Sequence, residues 1–589
     1  MTTPITPAPT MSAPGIPPTA KPVSTISAAT IPAASGMRYV IGIDIGTTNT
    51  KAVAFTQDGD LLASASQTYP AISPLPDYHE LDPAVLFDAV IGVLKEVLSK
   101  TAGSGASLPQ EEHLSPKGAG ALLAGIGFSC AMHSLILVDE QGKPLTNAIT
   151  WADLRSKDYA AALKDSEAGK RIYRNTGTPI HPMSPLCKLL WFKDQEPALF
   201  SQAAKFVSIK EYIWYRLFGK WLVDHSLASA TGLFDIRALE WYGEALTRAG
   251  IGPERLSTPV PGTYTETALF PVYRIALGLD DVKKVDGALP FVIGGGDGCL
   301  ANLGSNAILP GEAALTIGTS GAIRMIAAKP EYDPQERIFN YILTPGLYVS
   351  GGAINNGGAV LQWYIDNFCE PSGFATGKSG DSSDATGNSA GASRPGDFSK
   401  YIGLAGSVDA GADGLIFLPY LFGERAPIWN ADARGLFFGI HSRHTRAHFI
   451  RSVIEGICFS LYDVGVSLEE TIGPILHINA SGGFIKSRRW LQILADIFNR
   501  RVYVNNIADA SAIGAAITGF LAVGIIDSLD EAKKMIHTLE VFEPDAQQHL
   551  VYRRYFGIYK ELYARVKDIY GDLRQIEDRL ISAHTRHPQ

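Results

Sequence analysis

The feature that most limits how this chain can fold is a stretch that occurs twice. Residues 42–55 read GIDIGTTNTKAVAF and residues 314–327 read ALTIGTSGAIRMIA. Each is an apolar run, a glycine followed by hydroxyl side chains, and a second apolar run. That pattern predicts a β-hairpin in both places, and its recurrence predicts two domains of one design. Length agrees, because 589 residues exceed what one core ordinarily organises. Ordinary β-hairpins also favour such turns, although neither turn here uses the common Asn-Gly pair.

The first hairpin carries a carboxylate, Asp44, within its apolar strand. A glycine turn lets backbone N–H groups approach a ligand, and neighbouring hydroxyls add donors, so the turn suits an anion. Two such turns across a cleft would hold a polyphosphate from both sides. A carboxylate beside phosphate needs a divalent cation between them, so Asp44 reads as a Mg²⁺ partner, directly or through water. A third stretch, LPFVIGGGDGCLANLGSNA (289–307), ends an apolar strand in three glycines before Asp297. An acid at a strand tip among residues too small to shield it suits a general base that takes the proton of an attacking hydroxyl. The bland alternative is a turn aspartate. A fourth stretch runs from a strand through Ser481, Gly482 and Gly483 into a helix, a junction where adenosine could lie against bare backbone.

Between these stretches, LDPAVLFDAVIGVLKEVLSK predicts a helix from its apolar face, with Asp82 as N-cap and Pro83 in the first position. Residues 1–36 read as a disordered Pro/Thr/Ala tail without an apolar targeting core, so Met37 could be the functional start. Residues 101–119 read as a surface insert, and the Gly/Ser-rich segment at 370–399 as a flexible loop. Within that loop, GFATGKS is one residue short of a Walker A loop and has no strand before it, so it is rejected. Residues 571–589 read as a C-terminal tail. A net charge of −8 argues against nucleic acid or an anionic membrane as partner. No apolar run is long enough to span a membrane. Five widely spaced cysteines indicate neither a disulfide framework nor a zinc knuckle and fit a reducing cytoplasm. The trio His441, His444 and His448 has helical spacing but no evident fourth ligand, and reads better as structural than as zinc-binding.

Two further stretches, MSPLCKLLWFKDQ (183–195) and GLFFGIHSRHTRAHFIRSVIE (435–455), resemble the signatures of the FGGY carbohydrate kinases, members of the actin/hexokinase-like superfamily. The resemblance runs from about residue 39 to 570. CAMHSLILVDEQGKPLTNAITWADLRS, NTGTPIHPMSPL, SATGLFDI and GERAPIWNADARGLFFGI are similar to the gluconate-phosphorylating branch. It implies an α/β fold of two actin-like (ribonuclease H-like) domains, residues 37–307 and 308–570, with a catalytic cleft between them. It implies ATP and Mg²⁺, a small-molecule substrate such as gluconate, and a possible homodimer. By the same resemblance Asp44 lies near Mg²⁺, Thr47 and Thr48 contact phosphate from the first domain, and Gly318, Thr319 and Ser320 from the second. Asp297 is the base, Gly482 and Gly483 border adenosine, and Met132 and His133 meet the substrate. Relatives often carry a small residue where this chain has Phe484, which bears on the adenine side.

Gluconate would need a cation for its carboxylate. Asp153 and Arg155 in TWADLRS are the expected pair, the acid accepting substrate hydroxyls and the arginine binding the carboxylate. Lys188 and Arg425 are expected to be structural or not to need substrate contact. Two rival readings remain open. One is a pentulose kinase for xylulose or ribulose, differing only between His133 and Arg155. The other is a non-catalytic ATPase switch, against which Asp297 and the absence of a separate peptide-binding domain argue.

Overall fold

The computed structural model describes residues 36–102, 121–285, 287–369, 398–507 and 509–586. The expected N-terminal tail up to residue 35, the insert at 103–120 and residues 370–397, with the GFATGKS string, lie outside the described residues.

Both repeated stretches form hairpins, and each hairpin seeds a sheet. Arg38–Ile45 pairs antiparallel with Asn49–Thr56, and Glu312–Ile317 with Gly321–Ala327. In each case the first hairpin strand also pairs in parallel with a later strand, Leu122–Cys130 in one sheet and His477–Ser481 in the other. The first sheet has six strands, ordered Thr265–Glu266, Phe291–Gly296, Leu122–Cys130, Arg38–Ile45, Asn49–Thr56 and Leu61–Thr68. The second has seven, ordered Phe339–Thr344, Leu347–Ile354, Gly321–Ala327, Glu312–Ile317, His477–Ser481, Arg501–Asn505 and Thr538–Phe542. The chain is thus an α/β protein with two sheets of like design.

Strands covered on both faces should read as continuous apolar runs, and Tyr39, Val40, Ile41, Ile43 and Ile45 are all buried. The expected helix spans Pro83–Ala102 and buries Leu86, Phe87, Val90, Leu94, Val97 and Leu98. Ala84 N–H donates to Asp82 Oδ1 at 2.8 Å, so the expected cap is made.

Two boundaries read from sequence need amendment. The helix Ala510–Ala522 falls in the second half of the chain but packs its Ala512, Ile513, Ala515, Ala516 and Ile517 into the first sheet's core. It comes so close that a Cβ on Gly42 would lie 1.9 Å from Ala512 O. Its alanines and glycines, which sequence pattern alone reads as a helix of either domain, are what permit that approach. The second amendment concerns the C-terminus. In place of a tail from residue 571, one helix runs Ala546–Arg586, with Tyr552, Tyr559 and Tyr570 buried in the second core. Its later turns are held by charge: Arg574 meets Asp158 at 2.7 Å and Asp432 at 3.2 Å.

All five cysteines are buried, and no helix among the described residues is long and apolar enough to cross a membrane.

Candidate active site

Register explains why distant acids converge. In the first sheet the parallel strands end level, Ile45 beside Cys130 and Cys130 beside Gly296. Asp44 and Asp297 therefore sit at the same edge with one strand between them. In the second sheet Thr316 lies beside Ser481, joined by a hydroxyl–hydroxyl bond of 2.8 Å. That pairing sets the Gly318–Ser320 turn next to Gly482 and Gly483.

Asp297 is half-buried, and its Oδ1 accepts Gly298 N–H at 2.7 Å. Burial raises its pKa above the usual carboxylate value, while the Arg324 guanidinium pulls the other way. A carboxylate so placed is a better proton acceptor than one in water. Asp44 accepts Ser129 Oγ at 2.8 Å. Burial, then the neighbouring charges of Asp509 and Asp297, push its pKa well up. Asp509 caps the Ala510–Ala522 helix through Ala512 N–H and pairs with Lys51 Nζ at 2.9 Å. Arg324 stands on the Asp297 side, while Asp44 and Asp509 share one lysine and one hydroxyl, a donor set that suits a hard divalent cation taking oxygen ligands. Sequence reasoning missed Asp509, whose visible signal was an acid capping a small-residue helix.

The two hairpin turns are closed by their own backbone and leave hydroxyl residues outward. Gly46 N–H is spent on Asn49 O at 3.0 Å, closing a turn that leaves Thr47 and Thr48 at the surface. Gly318 N–H likewise donates to Ser320 O at 2.9 Å, with Gly318 and Thr319 exposed. Gly482 has φ +97°, and a Cβ there would lie 2.4 Å from Ile317 O, so only glycine fits. Phe484, the departure noted in sequence, turns inward and packs edge-on to Trp490 in the core, leaving the exposed Gly482–Gly483 face open.

Met132 packs against the glycines around Asp297: its side chain would clash with a Cβ on Gly296 or Gly298. His133 is buried with φ 67°. Its Nδ1–H donates to Ala230 O at 2.7 Å, and Nε2 lies 3.4 Å from Tyr341 Oη. Burial, then Lys188, lowers its pKa to about 3, so the imidazole is neutral. Lys188 is structural, as expected: Nζ donates to the carbonyls of His133 at 2.5 Å, Thr150 at 2.8 Å and Met183 at 2.9 Å. It thereby pins the uncommon backbone of the His133 turn.

Asp153 and Arg155 are corrected by their geometry. Asp153 is fully buried and accepts His79 N–H at 2.8 Å together with Arg155 Nε at 2.8 Å and Nη2 at 2.7 Å. Arg155 Nη2 also pairs with Glu80, and the guanidinium lies 3.8 Å from the Tyr78 ring centroid. The pair staples the 78–80 segment to the first domain, and these donors are not free for a substrate carboxylate. Arg324 and Arg425, both close enough to Asp297 to act on its charge, keep unused donors. Nε and Nη1 of Arg324 and Nε of Arg425 are buried without hydrogen-bond partners. Arg425 had been set aside, and Arg324 was overlooked although it stands alone as a charge in the apolar strand GAIRMIA, the same signal that marks Asp44.

The histidine trio serves its own loop. His441 Nδ1 accepts Arg443 N–H at 3.2 Å, His444 Nδ1 accepts His441 N–H at 3.1 Å, and His448 Nδ1 accepts Thr445 N–H at 3.2 Å. Asp413, His441 and His444 have atoms close enough to hold an ion. His444 Nε2 already faces Asp413 O at 3.1 Å, and the Arg443 guanidinium stands 3.9 Å from the Asp413 carboxylate, which disfavours a cation.

Comparison with known proteins agrees with this architecture. Residues 39–304 match the N-terminal domain, and residues 313–523 the C-terminal domain, of the FGGY family of carbohydrate kinases. A gluconokinase of Bacillus subtilis is 41% identical over 547 residues, covering 92% of this chain and 99% of that protein. A xylulose kinase of Staphylococcus epidermidis is 31% identical, covering 91% of this chain and 99% of that protein. The crystal structure of a gluconate kinase from Lactobacillus acidophilus superposes with a TM-score of 0.80 at 34% identity, covering 91% of this chain and 100% of that one. Paired hairpins, level strand tips and three converging aspartates are thus found in a chain that belongs to the FGGY family of carbohydrate kinases.

Proposed function

We propose that this protein transfers the γ-phosphoryl group of ATP to the terminal hydroxyl of D-gluconate, giving 6-phospho-D-gluconate. The observation that carries the reaction type is Asp297: a half-buried carboxylate of raised pKa at a strand tip, on the same sheet edge as Asp44. The gluconokinase of Bacillus subtilis, matched across 92% of this chain, supports the choice of acceptor.

In this reading Asp297 aligns the acceptor hydroxyl and takes its proton as the oxygen bonds to phosphorus and the bond to the departing ADP oxygen breaks. Thr47 and Thr48 from one domain and Gly318, Thr319 and Ser320 from the other hold the phosphates. Gly482 and Gly483 leave room for adenosine. Asp44, with Asp509 beside it, would hold Mg²⁺, which when bound offsets phosphate charge. Met132 walls the base, and neutral His133, held by Ala230 O and facing Tyr341 Oη, helps to shape the substrate side. Closure of the domains would exclude water, which otherwise competes as acceptor.

The test is ADP release with Mg·ATP and a panel of D-gluconate, D-xylulose, L- and D-ribulose, glycerol and no acceptor. Turnover with gluconate is expected, and Asp297→Asn should lower kcat by roughly 10²–10⁴-fold with little change in KM. Turnover with a ketopentose and not gluconate would replace the substrate with that of the xylulose kinase relatives. Equal turnover with nothing added would restore the ATPase-switch reading.

A further inference from the structure

Side chains alternate along a strand, so Gly321–Ala327 presents two faces. Ile323 and Met325 point into the second core, which puts Ala322, Arg324 and Ile326 on the other face. Ile326 joins the first domain's core, so that face looks across the cleft. Arg324 reaches the base's own turn: a Cβ on Gly298 would lie 3.2 Å from its Nε and 3.3 Å from its Nη2. Arg425 enters near Trp151, its guanidinium 4.4 Å from that ring, and spends Nη2 on Ile354 O at 3.2 Å. Tyr341 is buried close to both arginines and, with His133, walls the same space.

Nε and Nη1 of Arg324 and Nε of Arg425 are sealed from solvent with no acceptor. Buried donors, above all charged ones, are costly to leave unpaired, so they signal a ligand that completes them. A carboxylate suits such donors, because a guanidinium fork matches it in two parallel bonds. Phosphate at the hairpin turn is a poor candidate for that ligand. Arg324 starts four residues beyond Ser320, roughly 13 Å along the strand.

We infer that Arg324, seconded by Arg425, is the specificity-determining residue that binds the carboxylate of the sugar-acid acceptor. The inference rests on the gluconate reading and adds which residue reads the acid. Arg324 approaches the acceptor from the second domain while the base and His133 approach from the first, so an acidic substrate draws the two together.

The test compares wild type, Arg324→Lys and Arg324→Met by calorimetric titration with D-gluconate and separately with Mg·ADP, together with melting temperatures. Arg324→Met should weaken gluconate binding by about 100-fold and Arg324→Lys by about tenfold, leaving Mg·ADP binding within about twofold. Melting temperatures check that the variants are folded at the titration temperature, and retained Mg·ADP binding separates a lost carboxylate contact from a merely structural arginine, whose removal would weaken both ligands. Gluconate affinity within about threefold of wild type in Arg324→Met would overturn the inference. So would an equal loss with neutral acceptors in turnover, which would assign Arg324 to phosphate. If wild type does not bind gluconate, the proposed function fails separately. The same titrations with xylonate and galactonate then decide: Arg324-dependent binding of either supports the inference, and turnover with neutral acceptors alone overturns it.

Discussion

His133 and His181 show how single residues set a pH limit. Both are buried, and burial pulls each pKa down, to about 3 for His133 and well below the usual value for His181. Below about pH 6.5 the unfolded chain takes up these protons and the folded one does not, so stability falls as pH drops from there toward 3. Each histidine adds at most about 1.4 kcal/mol per pH unit to that slope. Replacing His181 with Asn is expected to flatten the decline of melting temperature between pH 6.5 and 5, which thermal denaturation at several pH values checks. The same residue scale explains an uneven reading of the sequence. Asp44 was found because an acid interrupts an apolar strand, and Arg324 offers the same interruption in the second copy. Arg155 misled because a charged residue in a loop resembling a substrate site does not reveal that Asp153 and Glu80 already hold it.

At the scale of elements, local pattern was dependable. Apolar–glycine–hydroxyl–apolar makes a hairpin wherever it occurs, and the Pro83–Ala102 helix follows from its cap and stripe. What no local pattern contains is which strand tips come level, because that depends on parallel pairing between segments far apart. Gly482 illustrates the consequence. Its φ of +97° and the 2.4 Å approach to Ile317 O mean that Gly482→Ala must distort the junction beside the Gly318–Ser320 turn. The expected cost is about 1–3 kcal/mol of stability. KM for ATP should rise more than KM for gluconate, as steady-state kinetics with each substrate varied would show.

At the scale of the whole molecule, two helices tie the halves together. Ala510–Ala522 crosses to the first sheet and brings Asp509 to Asp44, so the acidic cluster depends on a helix from the other half of the chain. The C-terminal helix links Asp158 in the first half to Asp432 in the second through Arg574. These pairs are partly exposed, so Arg574→Ala should cost less than about 1 kcal/mol. Its clearer effect should be local: faster amide hydrogen exchange over residues 570–586, while exchange in the Ala510–Ala522 helix stays as in wild type.

The sequence by itself determined the two-domain α/β plan, the two hairpin turns and the strand-end carboxylates Asp44 and Asp297, because each is written in a short stretch whose physics is local. Tertiary structure alone decided which cations are free. Arg155 pairs with neighbouring Asp153 and with Glu80, brought to it by the 78–80 segment, whereas Arg324 and Arg425 keep buried donors to spare. Whether a charge is satisfied depends on partners drawn from distant parts of the chain, and only folding brings those partners into reach.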